Sequence, residues 1–176
     1  MITENLRICE NLRICENLLD EDVYNACFQY SIQTLTSTEL SFKTNHSWSS
    51  DVVNDSNVVL VHTLTHTNIL YKLISDAVKT KLKTTIKSIF FYYWMQGSHI
   101  PWHNDGGHAG AITIYLNAEW NENWGGAFLY KDTENDTITG IYPKRNRAIQ
   151  LTRPLQHTVV PTTKNSDVRF TIQIFV

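Results

Sequence analysis

The sequence predicts an α+β fold in which N-terminal helices flank a double-stranded β-helix of the jelly-roll, cupin-like type. Three observations predict it. Apolar residues recur at helical spacing only in the first half of the chain. From Ile86 onward the chain breaks into short β-branched and aromatic runs separated by turn residues. Helices followed by that many strands suit a sandwich or barrel covered by helices rather than alternating βα units. With 176 residues, 42% of them hydrophobic, the chain has room for a single domain with a real core. Its helical and support-strand part is expected over about 1–85 and its β-helix core over about 86–176.

The N-terminus repeats itself: Glu4-Asn5-Leu6-Arg7-Ile8-Cys9 recurs as Glu10 to Cys15, and Glu16-Asn17-Leu18 opens a third copy. A period of six is even, so an extended chain puts Leu6, Ile8, Leu12 and Ile14 on one face, whereas a helix would scatter them. This predicts an edge or extension strand. Asp20 reads as an N-cap, followed by Tyr24, Phe28, Ile32 and Leu35 at helical spacing up to Thr36–Thr38. A polar loop, Asn45 to Ser56, precedes a strand over Val58 to Thr65. After Asn68, the residues Ile69, Leu70, Leu73, Ile74, Ala77 and Val78 mark a second amphipathic helix. The strands beyond are expected at Ile86 to Trp94, Gly110 to Leu116, Ala127 to Tyr130, Thr137 to Tyr142, Ala148 to Leu151, Thr158 to Val160 and Val168 to Val176.

Charge and cysteine usage narrow the setting. A formal charge of −2 gives no field that would hold a polyanion, which argues against a nucleic-acid substrate. The lysines at 79, 81, 83 and 87 suit a solvated helix C-terminus. Cys9, Cys15 and Cys27 are an odd set without CxxC spacing, expected to be reduced thiols that bind no metal. Charged residues interrupt every apolar stretch near the N-terminus, so neither a signal-peptide core nor a membrane span is expected, and a reducing, cytoplasmic location follows.

The chemistry lies in Trp102-His103-Asn104-Asp105, answered by His157 and then Arg169. At a strand end, residues i and i+2 point to one side, so His103 and Asp105 can reach one metal while Asn104 faces away. With His157 from another strand they make two imidazoles and one carboxylate on one face of an ion. That set holds Fe(II) in non-haem oxygenases and leaves three positions open. The residual positive charge favours a chelating dianion such as 2-oxoglutarate at two positions, with O2 at the third. A buried Arg169 would take the distal carboxylate as a planar, two-pronged donor. Thr171, Gln173 and Phe175 share the parity of Arg169 and should line the same wall, Thr171 offering an extra hydroxyl.

Other residues compete for these roles. His99 and His103 are four apart, as in a zinc-protease helix, but Pro101 lies between them and no Glu follows His99. His108, in a glycine-bordered loop, reads as a pocket-rim residue. His62 and His66 read as structural or surface residues, and His46 carries no signal. Trp102, Trp120, Trp124 and the Gly106 to Gly110 loop are candidates for the pocket mouth.

The segments Tyr92 to Gly97, Trp102 to Asp105, Ala111 to Asn117 and Trp124 to Phe128, with His157 and Arg169, resemble the prolyl 4-hydroxylase-like branch of the Fe(II)/2-oxoglutarate dioxygenases. The likeness runs from about Ile86 to Val176. It implies a hydroxylase that couples oxidative decarboxylation of 2-oxoglutarate to succinate and CO2, with ascorbate as an optional reductant. The substrate implied is a peptide or protein prolyl residue; a free amino acid, small metabolite or nucleobase under the same chemistry is the alternative. A non-catalytic cupin-like metal-binding protein is the reading from another class, and the anchor Arg169 argues against it. The resemblance assigns His103, Asp105 and His157 to iron and Arg169 to the cosubstrate. The tyrosine that relatives place before the glycine of this strand is Trp94 here, so Tyr92 on the same face or the adjacent Tyr93 is the expected replacement. Halogenating relatives lack the carboxylate; Asp105 therefore favours hydroxylation.

Overall fold

A computed structural model describes residues 5–9, 11–37, 43–44, 58–132 and 136–176. The two complete copies of the N-terminal repeat fold back on each other. Strand β1 (Asn5–Cys9) pairs antiparallel with β2 (Leu12–Cys15), Asn5 opposite Cys15 and Leu6 opposite Ile14. The expected edge or extension strand is present as β1, at the edge of the larger sheet, and the structure adds that the second copy pairs with it as a hairpin. In β2 the even period holds: Leu12 and Ile14 turn inward and Arg13 outward.

Helix α1 (Glu21–Thr36) follows Asp20, whose side chain makes no capping bond. Its carboxylate instead meets the Lys81 Nζ at 2.9 Å, tying the start of this helix to the last turn of the next. The buried stripe is Tyr24, Cys27, Ser31 and Thr34, one step round from the expected face, and Ile32 is 37% exposed. Helix α2 (Ile69–Leu82) starts as predicted, with Asn68 accepting the Leu70 N–H at 2.9 Å, and buries Leu70, Ile74, Val78 and Leu82 at i, i+4 spacing. It stops at Lys83, which adopts the left-handed conformation. The polar loop predicted over Asn45 to Ser56, and His46 within it, lie outside the described residues. Among the described residues, no helix is long and apolar enough to cross a membrane.

The remaining strands are β3 (Lys43–Thr44), β4 (Val59–Leu64), β5 (Ser88–Trp94), β6 (Ile100–His103), β7 (Ala111–Tyr115), β8 (Phe128–Asp132), β9 (Thr137–Ile141), β10 (Ala148–Leu151), β11 (His157–Val159) and β12 (Arg169–Phe175). They form a larger sheet in the order β1-β2-β10-β7-β12-β5-β4-β3 and a smaller one in the order β6-β11-β8-β9. Every pairing is antiparallel. Two strands lie outside the predicted ranges: β3, only two residues long, and β6, whose β-branched pattern Pro101 interrupts although His103 is expected at a strand end.

Strand alternation divides the interior in two. Ile89, Phe91 and Tyr93 of β5, Ile112 and Ile114 of β7, and Ile172 and Ile174 of β12 point toward both helices and form the main core with Tyr24, Ile74 and Val78. Tyr92 and Trp94, Thr113 and Tyr115, and Arg169, Thr171, Gln173 and Phe175 point the other way, into a chamber closed by the smaller sheet. The larger sheet therefore spends one face on stability and the other on a site. Cys15 and Cys27 are buried free thiols in the main core, with burial pushing both upward in pKa, Cys27 to about 12.

Candidate metal centre

The antiparallel pairing of β11 with β6 puts His157 opposite His103, with ring centroids 4.2 Å apart. Each Nδ1 lies against the backbone carbonyl two residues earlier: His103 with Pro101 O at 2.8 Å, His157 with Leu155 O at 2.7 Å. A carbonyl can only accept, so Nδ1 carries the hydrogen and Nε2 keeps its lone pair. Both Nε2 atoms turn toward Asp105, at 3.5 Å from Oδ1 and 3.6 Å from Oδ2. The three side chains place ligand atoms within 4.8 Å of one another, in the His–carboxylate–His set suited to ferrous iron.

The carboxylate arrives by a route that simple strand alternation does not provide. Strand β6 ends at His103, and Asp105 sits in the turn beyond it with φ 53°. Aspartate tolerates this left-handed conformation better than most residues, and it folds the side chain back beside His103. Burial alone would push the Asp105 pKa up. When the neighbouring imidazoles are protonated, as they can be only without a metal, the hydrogen bond from His103 and the charges of His157, His103 and His108 outweigh burial and hold it below its ordinary value. Burial pushes His157 down, toward the neutral form a metal requires, and the His103 charge adds to this. Phe128 stacks on the His157 ring at 5.0 Å and keeps it from turning.

The triad lines a cavity of about 570 Å³, open mouth included, that also contains Arg169. Arg169 is 1% exposed, yet no carboxylate pairs with it among the described residues. Its Nη1 donates to the Gly126 carbonyl, its guanidinium lies 4.2 Å over the Trp94 ring, and its Nε has no partner. Burial pushes its pKa down to about 10, so it remains a cation at neutral pH. A buried cation whose contacts among the described residues include a carbonyl and a ring but no carboxylate is suited to an anionic ligand. The residues therefore fit both the metal and a dicarboxylate.

Several side chains shape this cationic end. Asn117 donates to Val168 O and accepts from the Phe170 N–H, bracketing Arg169 from both sides. Gly125 and Gly126 have φ +71°, and a Cβ at Gly126 would lie 2.7 Å from the Arg169 Nη1. Trp94 donates from Nε1 to Thr171 Oγ1 at 3.0 Å. Tyr92 lines the cavity. Tyr93, the alternative cosubstrate contact, is corrected: it points to the opposite face of β5 and packs in the helix-side core. Tyr115 was missed. It directly opposes Thr171 across β7 and β12, is buried in the cavity wall, and has its pKa raised by burial against the opposing Arg169 charge. Its signal was available in the parity of β7, two residues from Thr113.

The other candidates fall elsewhere. His108 stacks on Phe175 at 3.9 Å beside a shallow depression that adjoins Asp105, and it contributes no ligand atom to the cluster. His62 meets the Tyr30 hydroxyl at 2.9 Å, and His66 packs on Tyr71. Trp102 is 43% exposed beside His103, while Trp120 and Trp124 pack edge to face at 5.3 Å.

Comparison with known proteins agrees with this geometry. The model of the 2OG-Fe(II) oxygenase superfamily matches residues 89–176. No curated protein matches the chain. Among solved structures, a prolyl hydroxylase from Trichoplax adhaerens, in complex with a hypoxia inducible factor oxygen degradation domain peptide fragment, superposes with a TM-score of 0.77 at 19% identity. The alignment covers 94% of this chain and 82% of that one. A Pseudomonas putida prolyl-4-hydroxylase gives 0.70 at 13% identity, covering 94% and 91%. A viral collagen prolyl hydroxylase from Paramecium Bursaria Chlorella virus-1, in a 2OG complex, gives 0.67 at 13% identity, covering 96% and 98%. At these identities the likeness establishes the fold, a double-stranded β-helix.

Proposed function

Because the chain belongs to the 2OG-Fe(II) oxygenase superfamily, and so is a dioxygenase using Fe(II), 2-oxoglutarate and O2, we propose that it hydroxylates prolyl residues of a peptide or protein. One observation carries the site assignment: a buried Arg169 that pairs with no carboxylate among the described residues shares a chamber with His103, Asp105 and His157. The substrate class is supported by the prolyl hydroxylases among the structural neighbours, one of them holding a peptide.

Bound iron and 2-oxoglutarate supply oxidative decarboxylation to succinate and CO2 and the oxidation of the substrate. The chain's own residues bind and orient. His103 and His157 offer Nε2 with the tautomer fixed from behind, and Asp105 supplies the single negative charge. Arg169 would hold the distal carboxylate through a charge-assisted pair, and the Tyr115 and Thr171 side chains line the same cavity. Ile100, Phe128, Ile149 and Val159 exclude water around these groups.

The test is an aerobic screen of proline-containing peptides and, in parallel, free amino acids and small metabolites, read by succinate release and by mass gain of one oxygen atom. Succinate coupled to oxygen incorporation at a prolyl residue supports the proposal. Coupling only to a small molecule would move the reading to metabolite hydroxylation.

A further inference from the structure

At the end of the chamber farthest along β12 from Phe175, the last residue of β5 faces the first residue of β12: Trp94 and Arg169 are register partners. The Trp94 indole is 4% exposed, wedged among Val59, Tyr92 and Ile100, and lies flat enough beneath the guanidinium to bring it within 4.2 Å. Its N–H is spent on Thr171 Oγ1. That bond fixes the ring plane and leaves the Thr171 hydroxyl hydrogen free to point into the cavity. The Arg169 Nη1 donates to the Gly126 carbonyl, and a Cβ at Gly126 would lie 2.7 Å from that nitrogen. The guanidinium is therefore clamped between a carbonyl and a ring, and the ring is bolted to the chamber wall.

We infer that Trp94 is the specificity-determining positioning residue of the cationic end: its indole sets how deep Arg169 sits and so which length of 2-oxo diacid the chamber accepts. This rests on the assignment of Arg169 as the cosubstrate anchor. A cation held over an aromatic face in a dry site is attracted to it and loses freedom to swing. A guanidinium held in one place fixes its separation from His103, Asp105 and His157, so the chamber would favour one length of oxo diacid, the five-carbon one, over a six-carbon one. A smaller ring would let the guanidinium retreat, weakening the shorter ligand and admitting the longer one.

The experiment measures binding of 2-oxoglutarate and 2-oxoadipate by calorimetry under nitrogen, to Mn(II)-loaded wild type, Trp94→Phe, Trp94→Tyr and Arg169→Met. Wild type is expected to prefer 2-oxoglutarate by at least about tenfold. In the ring variants the 2-oxoglutarate Kd should rise several-fold, up to about tenfold, because a smaller and weaker aromatic face holds the guanidinium less well, with the preference between the two acids collapsing. A merely structural role would weaken both acids in proportion and keep the ratio; that result overturns the inference, as does an unchanged Kd. If neither ring variant folds, wild type decides: equal affinity for the two acids is fatal to the idea. Arg169→Met separates the layers, since loss of binding there with an unmoved Trp94 ratio removes only the role of Trp94. Unchanged binding in Arg169→Met removes the anchor itself.

Discussion

His103 and His157 face each other across the β6–β11 pair with their rings 4.2 Å apart, and each is held by the carbonyl two residues before it. Register, not loop placement, brings the two imidazoles together, so they are preorganised before any metal arrives. Replacing either with alanine should cost more metal affinity than the roughly 10–100-fold typical of losing an outer partner. Titration of metal-free protein with Fe(II) under nitrogen checks this. A His157→Ala protein that binds as tightly as wild type would remove that ligand.

Arg169 makes a prediction that is separable from the metal. Arg169→Met should weaken 2-oxoglutarate binding by about 2–4 kcal/mol, the scale of a charge-assisted pair in a buried site, and should leave Fe(II) affinity in place. Parallel titrations with metal and with cosubstrate read the two effects independently.

Gly126 should be intolerant and Gly107 tolerant. A Cβ at Gly126 meets the Arg169 Nη1 at 2.7 Å and the Thr162 methyl at 3.2 Å on a backbone with φ +71°, whereas one at Gly107 meets nothing within 4 Å. Gly126→Ala is expected to lose roughly 1–3 kcal/mol of stability from the backbone strain and to weaken cosubstrate binding by displacing the arginine. Gly107→Ala should match wild type in both thermal melts and binding.

The metal-free protein should lose stability as pH falls through the histidine range. Burial holds the folded-state pKa of both His157 and His62 below the ordinary value. In that window the unfolded chain binds more protons than the folded one, so stability rises with pH. No penalty exists well above the unfolded value of about 6.5, and it grows as pH drops below it. Thermal melts at about pH 7.5 and 5.5 should therefore separate, and His157→Gln should narrow the separation. An equal separation in the variant would remove His157 as a contributor.

The strands that carry the site were legible because their side chains alternate: Arg169, Thr171, Gln173 and Phe175 line the chamber as their shared parity required. The same rule separates Tyr92 from Tyr93, adjacent in sequence and on opposite faces of β5. What alternation could not supply was anything set by the turn or by tertiary pairing. The left-handed backbone at Asp105, the β6 strand hidden behind Pro101, and the hairpin between the repeat copies all depend on such local or paired geometry. The Trp94–Arg169 stack belongs to the same group, because only the β5–β12 register puts those residues opposite each other. Stripe position on α1 slipped by one residue, as a helix with Ser31 and Thr34 buried gives a weak apolar signal.

The central claim is that one chamber binds iron through His103, Asp105 and His157 and the cosubstrate through Arg169. Anaerobic addition of 2-oxoglutarate to Fe(II)-loaded protein, followed by visible spectroscopy, tests it most directly. The account predicts a weak metal-to-ligand charge-transfer band in wild type, with a midpoint shifted to much higher 2-oxoglutarate in Arg169→Met and no band in Asp105→Ala. A wild-type band that persists unchanged in both variants would contradict it.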